Sequence, residues 1–334
     1  MRIARPLAEQ PVPKRTKRFN GSVSSPPPPP SGTICLPEAR RKWKDMVRWT
    51  HALPVCFCLF VYSLYYYITR HTISETERKR QVFERWSECA HKQLNTYNTA
   101  EEFWLNFAAL TGNCDFNEHI DELGLVPLKN DDEVKYAILP AESVRNSTNT
   151  FITLGIGKDI SAEQLFQKEM EMRGHNVTFY GADPISEENS ALYTQIGKYF
   201  PFAIGSKAGV SGASVYVNGK YRPQSVVHVE LLYFLKEILQ IKEIDHLWLD
   251  AEGAEYGLFD YFYNDGPLER NGIFFCQMNL EVHIGSVDKK IAFMQFAKRI
   301  ASEKRFVMLR SVYISHIRLY LFNYANTKCV EKYL

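Results

Sequence analysis

His246-Leu247-Trp248-Leu249-Asp250-Ala251-Glu252-Gly253-Ala254-Glu255 is the stretch that decides how this chain folds. An apolar run ends abruptly in three carboxylates grouped around one glycine. A β-strand that leaves a core and delivers acids at its carboxyl end is how an open α/β sheet builds a site. Gly253 lets the backbone turn sharply or approach a ligand closely. Glu252 and Glu255 also suit the start of a following helix, where the positive end of the dipole favours acids. Asp250 continues the strand instead, so a helix start does not account for it.

Outward from this segment, strands and helices alternate. Phe151-Ile152-Thr153-Leu154 reads as a strand that runs into Gly155-Ile156-Gly157. Ser161, with Gln164 three residues on, has the pattern of a capping box and opens a helix that Gly174 ends. Val177–Tyr180 is a second strand, closed by Gly181-Ala182-Asp183-Pro184. A helix near 190–199 precedes a third strand, Phe202–Gly205. Asn218-Gly219 fits a hairpin turn between 215–217 and 226–229. Leu231–Gln240 reads as helix, Ile244–Asp250 as the fourth strand and Ile273–Val282 as the fifth. A helix over Asp288–Glu303 and two close, antiparallel strands, Phe306–Val312 and Arg318–Tyr324, complete the order. This alternation predicts a doubly wound, mostly parallel sheet with helices on both faces and a terminal antiparallel strand. Residues 70–149 read as a stem and helical cap, helical over 74–125, before a domain spanning 150–334.

The amino-terminal part is of another kind. Residues 1–48 carry eleven Lys or Arg against three Asp or Glu and include the run Pro26–Pro30. Such a basic, proline-rich tail buries too little apolar surface to fold. Residues 49–69 contain no Lys, Arg, Asp or Glu. About twenty such residues match the hydrocarbon thickness of a bilayer, and Trp49 and Tyr65–Tyr67 are rings suited to its interfaces. A transmembrane helix over 49–69 is therefore expected. Arg40, Arg41, Lys42, Lys44 and Arg48 before it outweigh Arg70, Arg78, Lys79 and Arg80 after it, which favours a cytoplasmic amino terminus and a lumenal domain, type II, in the ER or Golgi. A formal net charge of +2 gives no reason to expect nucleic acid as a partner.

Seven cysteines are present. Cys35 lies in the tail, and Cys56 and Cys58 in the expected span. Cys89, Cys114, Cys276 and Cys329 remain as an even set that a lumenal domain can pair, with Cys89 and Cys114 the favoured couple across a short loop. No C-x-x-C metal spacing occurs, and no metal centre is assigned. The triplets Asn146-Ser147-Thr148 and Asn176-Val177-Thr178 match the glycosylation pattern, the second in an expected buried strand.

Three strand ends converge on one crevice: the turn with Gly155 and Gly157, Asp183 after the second strand, and Asp250 after the fourth. An acid ending the second strand can accept hydrogen bonds from both ribose hydroxyls. The segments Leu154-Gly155-Ile156-Gly157, Ala182-Asp183-Pro184, Ala203-Ile204-Gly205, Ile244–Glu255 and Glu281-Val282-His283, in that order, resemble FkbM-type S-adenosylmethionine-dependent methyltransferases over roughly residues 150–325. The resemblance implies a seven-stranded methyltransferase sheet with its last strand antiparallel, O-methylation as the usual chemistry, and S-adenosylmethionine as cofactor. It places Gly155 and Gly157 at the methionine part of the cofactor, Asp183 at the ribose and Asp250 near the reacting methyl. Methyltransferases often carry an acid at the end of strand one and a third glycine; Thr153, Lys158 and Asp159 occupy that neighbourhood here.

Methyl transfer asks for placement more than for covalent chemistry, because the sulfonium already activates the methyl. An alcohol acceptor gains from a base within hydrogen-bond reach, and Asp250 and His283 are the candidates. Glu252 and Glu255 can hold the acceptor, a small molecule or glycan, or bind a cation, or cap a helix. The alternatives are a type II secretory-pathway glycosyltransferase, in which Asp250 and Glu252 bridge a metal to a nucleotide-sugar, and a catalytically inactive relative.

Overall fold

The computed structural model describes residues 58–63, 66, 74–217 and 220–334. The chain divides into two compact units, Met1–His71 and Thr72–Leu334. In the first unit, residues 58–63 and 66 are helical. The tail 1–48 and the rest of the expected span 49–69 lie outside the described residues. Among the described residues no helix is long and apolar enough to cross a membrane.

The second unit opens with helices α1 (Glu75–Leu94) and α2 (Ala100–Asn117), a 3₁₀ turn (Ile120–Leu123) and a hairpin of β1 (Val126–Lys129) and β2 (Val134–Ala137). There follow β3 (Thr148–Leu154), α3 (Ser161–Met172), β4 (Asn176–Ala182), α4 (Ser186–Tyr193) and β5 (Gly197–Phe200). Next come β6 (Ala203–Gly205), β7 (Gly209–Val217) and β8 (Lys220–Glu230), which form a separate three-stranded sheet. A turn of helix, α5 (Leu231–Tyr233), runs into a π-helix (Phe234–Leu239) and β9 (Glu243–Leu249). A 3₁₀-helix (Glu255–Phe262), α6 (Pro267–Arg270), β10 (Phe274–Val282), α7 (Val287–Glu303), β11 (Phe306–Tyr313), β12 (Ile317–Asn323) and α8 (Thr327–Tyr333) complete the chain.

The main sheet has seven strands in the order β11-β12-β10-β9-β3-β4-β5. β10, β9, β3, β4 and β5 pair in parallel, and β12 lies antiparallel between β10 and β11. From β3 the chain winds one way through β4 and β5, then back through β9 and β10. The order therefore reverses between β3 and β9, the crevice where open α/β sheets bind ligands. Strands covered on both sides read as continuous apolar runs. Phe151 and Trp248 join one core with Phe166 and Met170 of α3. Ile152, Leu154, Leu247 and Leu249 join the other with α1, α2 and α7. Phe293, Phe296 and Ile300 of α7 are fully buried there, each contributing about 1.5–3 kcal/mol.

Three local expectations are corrected. The third strand of the main sheet is β5, not Phe202–Gly205; Ala203–Gly205 pairs with β8 instead. β5 passes so close to β4 that a Cβ on Gly197 would stand 2.3 Å from the Phe179 carbonyl oxygen, a fit open only to glycine. Ser161 is the first residue of α3 rather than its cap, and its N–H donates to Asp159 Oδ1 at 2.8 Å. Asn176 is exposed at the start of β4 rather than buried. The hairpin pairs Val217 with Lys220, its two turn residues lying outside the described residues.

Cys89–Cys114 joins α1 to α2 as expected, and Cys276–Cys329 joins β10 to α8. The β1–β2 hairpin lies over the carboxyl ends of the sheet, held by side chains of β10. Asn279 accepts from Tyr136 N–H (2.9 Å) and donates to its carbonyl (2.8 Å). Gln277 does the same for Ile138, at 2.8 Å each way. Two amides thus imitate a strand partner, and leave no orphaned backbone group on the hairpin at those residues.

Candidate functional site

The carboxyl ends of β3 and β9 touch at the switch point. Gly155 has φ +94°, and a Cβ there would stand 1.8 Å from the Asp250 carbonyl oxygen. Asp250 N–H donates to Leu154 O across this contact, and Gly155 N–H ties the end of β3 to β4 through Ala182 O, both at 2.9 Å. Gly157, at φ +65°, has open space around it. Asp183 is buried, and its carboxylate accepts Ile156 N–H (2.8 Å) and Ile185 N–H (2.7 Å). It therefore fixes the glycine turn to the end of β4. Each carboxylate oxygen keeps a second lone pair for a ligand.

Two cavities meet here. One, of about 570 Å³, is lined by Gly155, Gly157, Asp183, Asp250, Glu252 and Lys135. The other, of about 640 Å³, runs under the hairpin and is lined by Lys135, Tyr136, Trp248, Asp250, Arg310 and Tyr313, among others. Gly155, Asp250 and Lys135 belong to both walls. These volumes lie in the range of small-molecule sites.

His283 stands behind Asp250 and Glu252 at the end of β10. Its Nε2 is 3.5 Å from Asp250 Oδ1, 3.4 Å from Glu252 Oε2 and 3.9 Å from Glu281 Oε1; its Nδ1 is 3.3 Å from Glu255 Oε1. Burial lowers its pKa, but the hydrogen bond to Glu255 and the charges of Asp250, Glu255 and Glu252 outweigh that and raise it to about 9. An imidazole holding its proton at neutral pH is no base. Asp250 is pushed up to about 7 by burial and by Glu281, against the pull of His283 and Lys135. About a third of its side chain still faces the cavities. Its Oδ1 is fully buried and has no hydrogen-bond donor. Glu255 lines neither cavity. It is wholly buried and accepts the N–H groups of Gly253 (2.7 Å) and His283 (2.8 Å), bracing the turn that carries Glu252.

Sequence reasoning passed over three charged side chains in these walls. Lys135, on β2, pairs with Glu133 and lies 5.3 Å over the Trp248 ring. Burial lowers its pKa against the pull of Glu163, Asp250 and Glu281. Glu163 of α3 accepts from Thr153 Oγ1 (3.0 Å), and burial lifts it to about 7 against the pull of Lys135. Arg310 sits at an irregularity in β11 with φ +53°, and its Nε is buried without a partner. The one legible sign of the hairpin was the turn-forming run Asn130-Asp131-Asp132.

The donor set fits S-adenosylmethionine. Gly157 leaves open space beside the turn, Asp183 keeps carboxylate lone pairs that would suit ribose hydroxyls, and Asp250 ends where the cavities meet. The model of the methyltransferase FkbM domain matches residues 90–329. Comparisons with curated proteins and with solved structures return no match. The matched span covers most of the chain and contains both strand-end glycines and every carboxylate of the site. The chain belongs to the family of proteins with an FkbM methyltransferase domain.

Proposed function

We propose that this protein transfers the methyl group of S-adenosylmethionine to an oxygen of an acceptor lying under the β1–β2 hairpin. The observation that carries the reading is the meeting of two cavities at Asp250, one beside the glycine turn and Asp183, the other walled by Trp248, Tyr136 and Arg310. The cofactor supplies a methyl activated by its sulfonium. The protein's own part is placement in line across the shared wall. Asp250, lifted to about 7, is matched to accept a hydroxyl proton at neutral pH; His283, already protonated, holds Asp250 and Glu252 in place. Aromatic walls suit an acceptor with an apolar body.

The same proposal anchors the protein through residues 49–69, type II, with the Thr72–Leu334 unit in the ER or Golgi lumen. The uncharged run, the basic tail before it and two disulfides, which persist in oxidising compartments, support that reading. Calorimetry of the full-length protein in detergent with S-adenosylmethionine, and separately with nucleotide-sugars plus Mn²⁺, tests the chemistry. S-adenosylmethionine is expected to bind, with Asp250→Asn reducing turnover more than affinity. A folded protein that ignores S-adenosylmethionine refutes methyl transfer, and binding of a nucleotide-sugar alone points to glycosyl transfer. Digestion of a carboxyl-terminal tag in sealed vesicles refutes the lumenal placement.

A further inference from the structure

We propose that Asp250, Glu252 and His283 form a binding site for one divalent metal cation at the wall shared by the two cavities. Asp250, Glu252 and His283 each offer a ligand atom within 4.8 Å of the others, and His283 Nε2 stands 3.5 Å from Asp250 Oδ1 and 3.4 Å from Glu252 Oε2. Metal–ligand bonds of about 2.0–2.2 Å at tetrahedral or octahedral angles set donors roughly 3–3.5 Å apart, so the ion needs only small side-chain adjustments.

The arrangement is more than a group of acids. Glu255, wholly buried, accepts hydrogen bonds from its own side of the cluster, and an ionised carboxylate can only accept. His283 Nδ1 therefore carries the hydrogen that faces Glu255, and Nε2 is presented to Asp250 and Glu252. A carboxylate that orients a histidine from behind is the support metal-binding histidines use. Independently, Asp250 Oδ1 is inaccessible to solvent and makes no hydrogen bond, the imidazole Nε2 facing it only as an ion pair at 3.5 Å. A buried acceptor without a donor costs about 1–3 kcal/mol, and a cation between the two atoms removes that cost. Glu252 is held at φ +50°, a left-handed conformation uncommon outside glycine. The turn braced by Glu255 thus brings its carboxylate to the cluster at a backbone cost. Glu281 Oε1, 3.9 Å from Nε2 and tied by its other oxygen to Arg318, closes a further side.

On binding, the cation takes the place of the Nε2 proton, which leaves to solvent. Imidazole together with carboxylates suits Mn²⁺ or Zn²⁺ better than the all-oxygen preference of Ca²⁺. Resting on the methyl-transfer reading, the ion would polarise the acceptor oxygen in the second cavity, while the cavity-facing oxygen of Asp250 stays available for the proton.

The test is Mn²⁺ binding to chelator-treated, full-length protein in detergent, followed by loss of the free-ion electron paramagnetic resonance signal, with S-adenosylmethionine affinity measured on the same samples. One Mn²⁺ per chain is expected, displaced by Zn²⁺. Asp250→Asn and Glu252→Gln should each weaken it at least tenfold, and Glu237→Gln, exposed on the π-helix and lining neither cavity, should leave it unchanged. Glu252 is partly exposed, so its variant stays folded and informative even where Asp250→Asn does not. Absence of a stoichiometric site, or equal Mn²⁺ affinity in all variants, overturns the proposal. Mn²⁺ binding without S-adenosylmethionine binding keeps the cation site and removes methyl transfer; the reverse keeps methyl transfer and removes the cation.

Discussion

Replacing Gly155 by alanine should do far more harm than the same change two residues later. Both glycines have positive φ, +94° and +65°, so each alanine pays about 1–2 kcal/mol for a left-handed backbone. At Gly157 the new methyl meets nothing within 4 Å, and the expected loss ends there. At Gly155 it would stand 1.8 Å from the Asp250 carbonyl oxygen, which is backbone and cannot swing aside. The strand ends must part by more than about 1 Å, since Cβ contacts under 3.0 Å are essentially never seen. That separation breaks the bond from Asp250 to Leu154, worth about 1 kcal/mol and up to about 3 kcal/mol if the acceptor stays buried and unpaired. Gly155→Ala is thus expected to lose about 2–5 kcal/mol, against about 1–2 kcal/mol for Gly157→Ala. Urea unfolding followed by tryptophan fluorescence reads both, and calorimetry with S-adenosylmethionine should show at least a tenfold loss of affinity for Gly155→Ala. Equal stability losses in the two variants would mean that β3 and β9 do not meet as described.

Asp183→Ala removes both anchors of the glycine turn and should weaken S-adenosylmethionine binding at least tenfold, together with a loss of about 1–3 kcal/mol in stability; an unchanged affinity by calorimetry would dissociate Asp183 from the cofactor. Cys89→Ser with Cys114→Ser opens a closure of 25 residues, and Cys276→Ser with Cys329→Ser one of 53. The chain-entropy estimate is about 3.5 and about 4 kcal/mol, checked by urea midpoints, and mass-shifted alkylation of all four thiols in unreduced protein would contradict both bonds. Asp115, which accepts from Trp86 Nε1 (2.7 Å) and Arg310 N–H (2.8 Å), is raised by burial to about 6. The native state then holds its proton more tightly than the unfolded chain. Its contribution is complete below about pH 4 and is lost as pH rises through about 6, amounting to at most about 3 kcal/mol. Asp115→Asn should flatten the fall in urea midpoint between pH 4.5 and 7.5; an unaltered slope refutes the assignment.

The parallel strands were legible because each carries its own punctuation. Leu154 runs into glycine, Ala182 into Asp183, and Leu249 into Asp250, so strand ends could be read without knowing their neighbours. The antiparallel β11–β12 pair was legible from its short connection. What failed was non-local. Gly197 falls inside the stretch near 190–199 that reads as helix until Phe179 is seen pressed against it. The β1–β2 hairpin has two four-residue strands and a polar turn, too little pattern to stand out, and its partners Gln277 and Asn279 lie over a hundred residues away. The role of His283 was equally hidden. The sequence offers it as a candidate base or as a cap on a strand end, yet carboxylates from two separate segments, Asp250–Glu255 and Glu281, surround it and keep its proton on.

The way the hairpin is fastened bears on how such a protein diversifies. Gln277 and Asn279 grip it through the backbone of Tyr136 and Ile138, so those four hydrogen bonds do not depend on which side chains the hairpin carries. Residues 131–133 at its turn border both cavities, and Arg318 of β12 fastens them through Asp132 and Glu133. A lineage that keeps those two acids and the buried Leu128 and Ala137 is therefore able to vary the hairpin's remaining side chains while the backbone grip from the sheet is inherited unaltered.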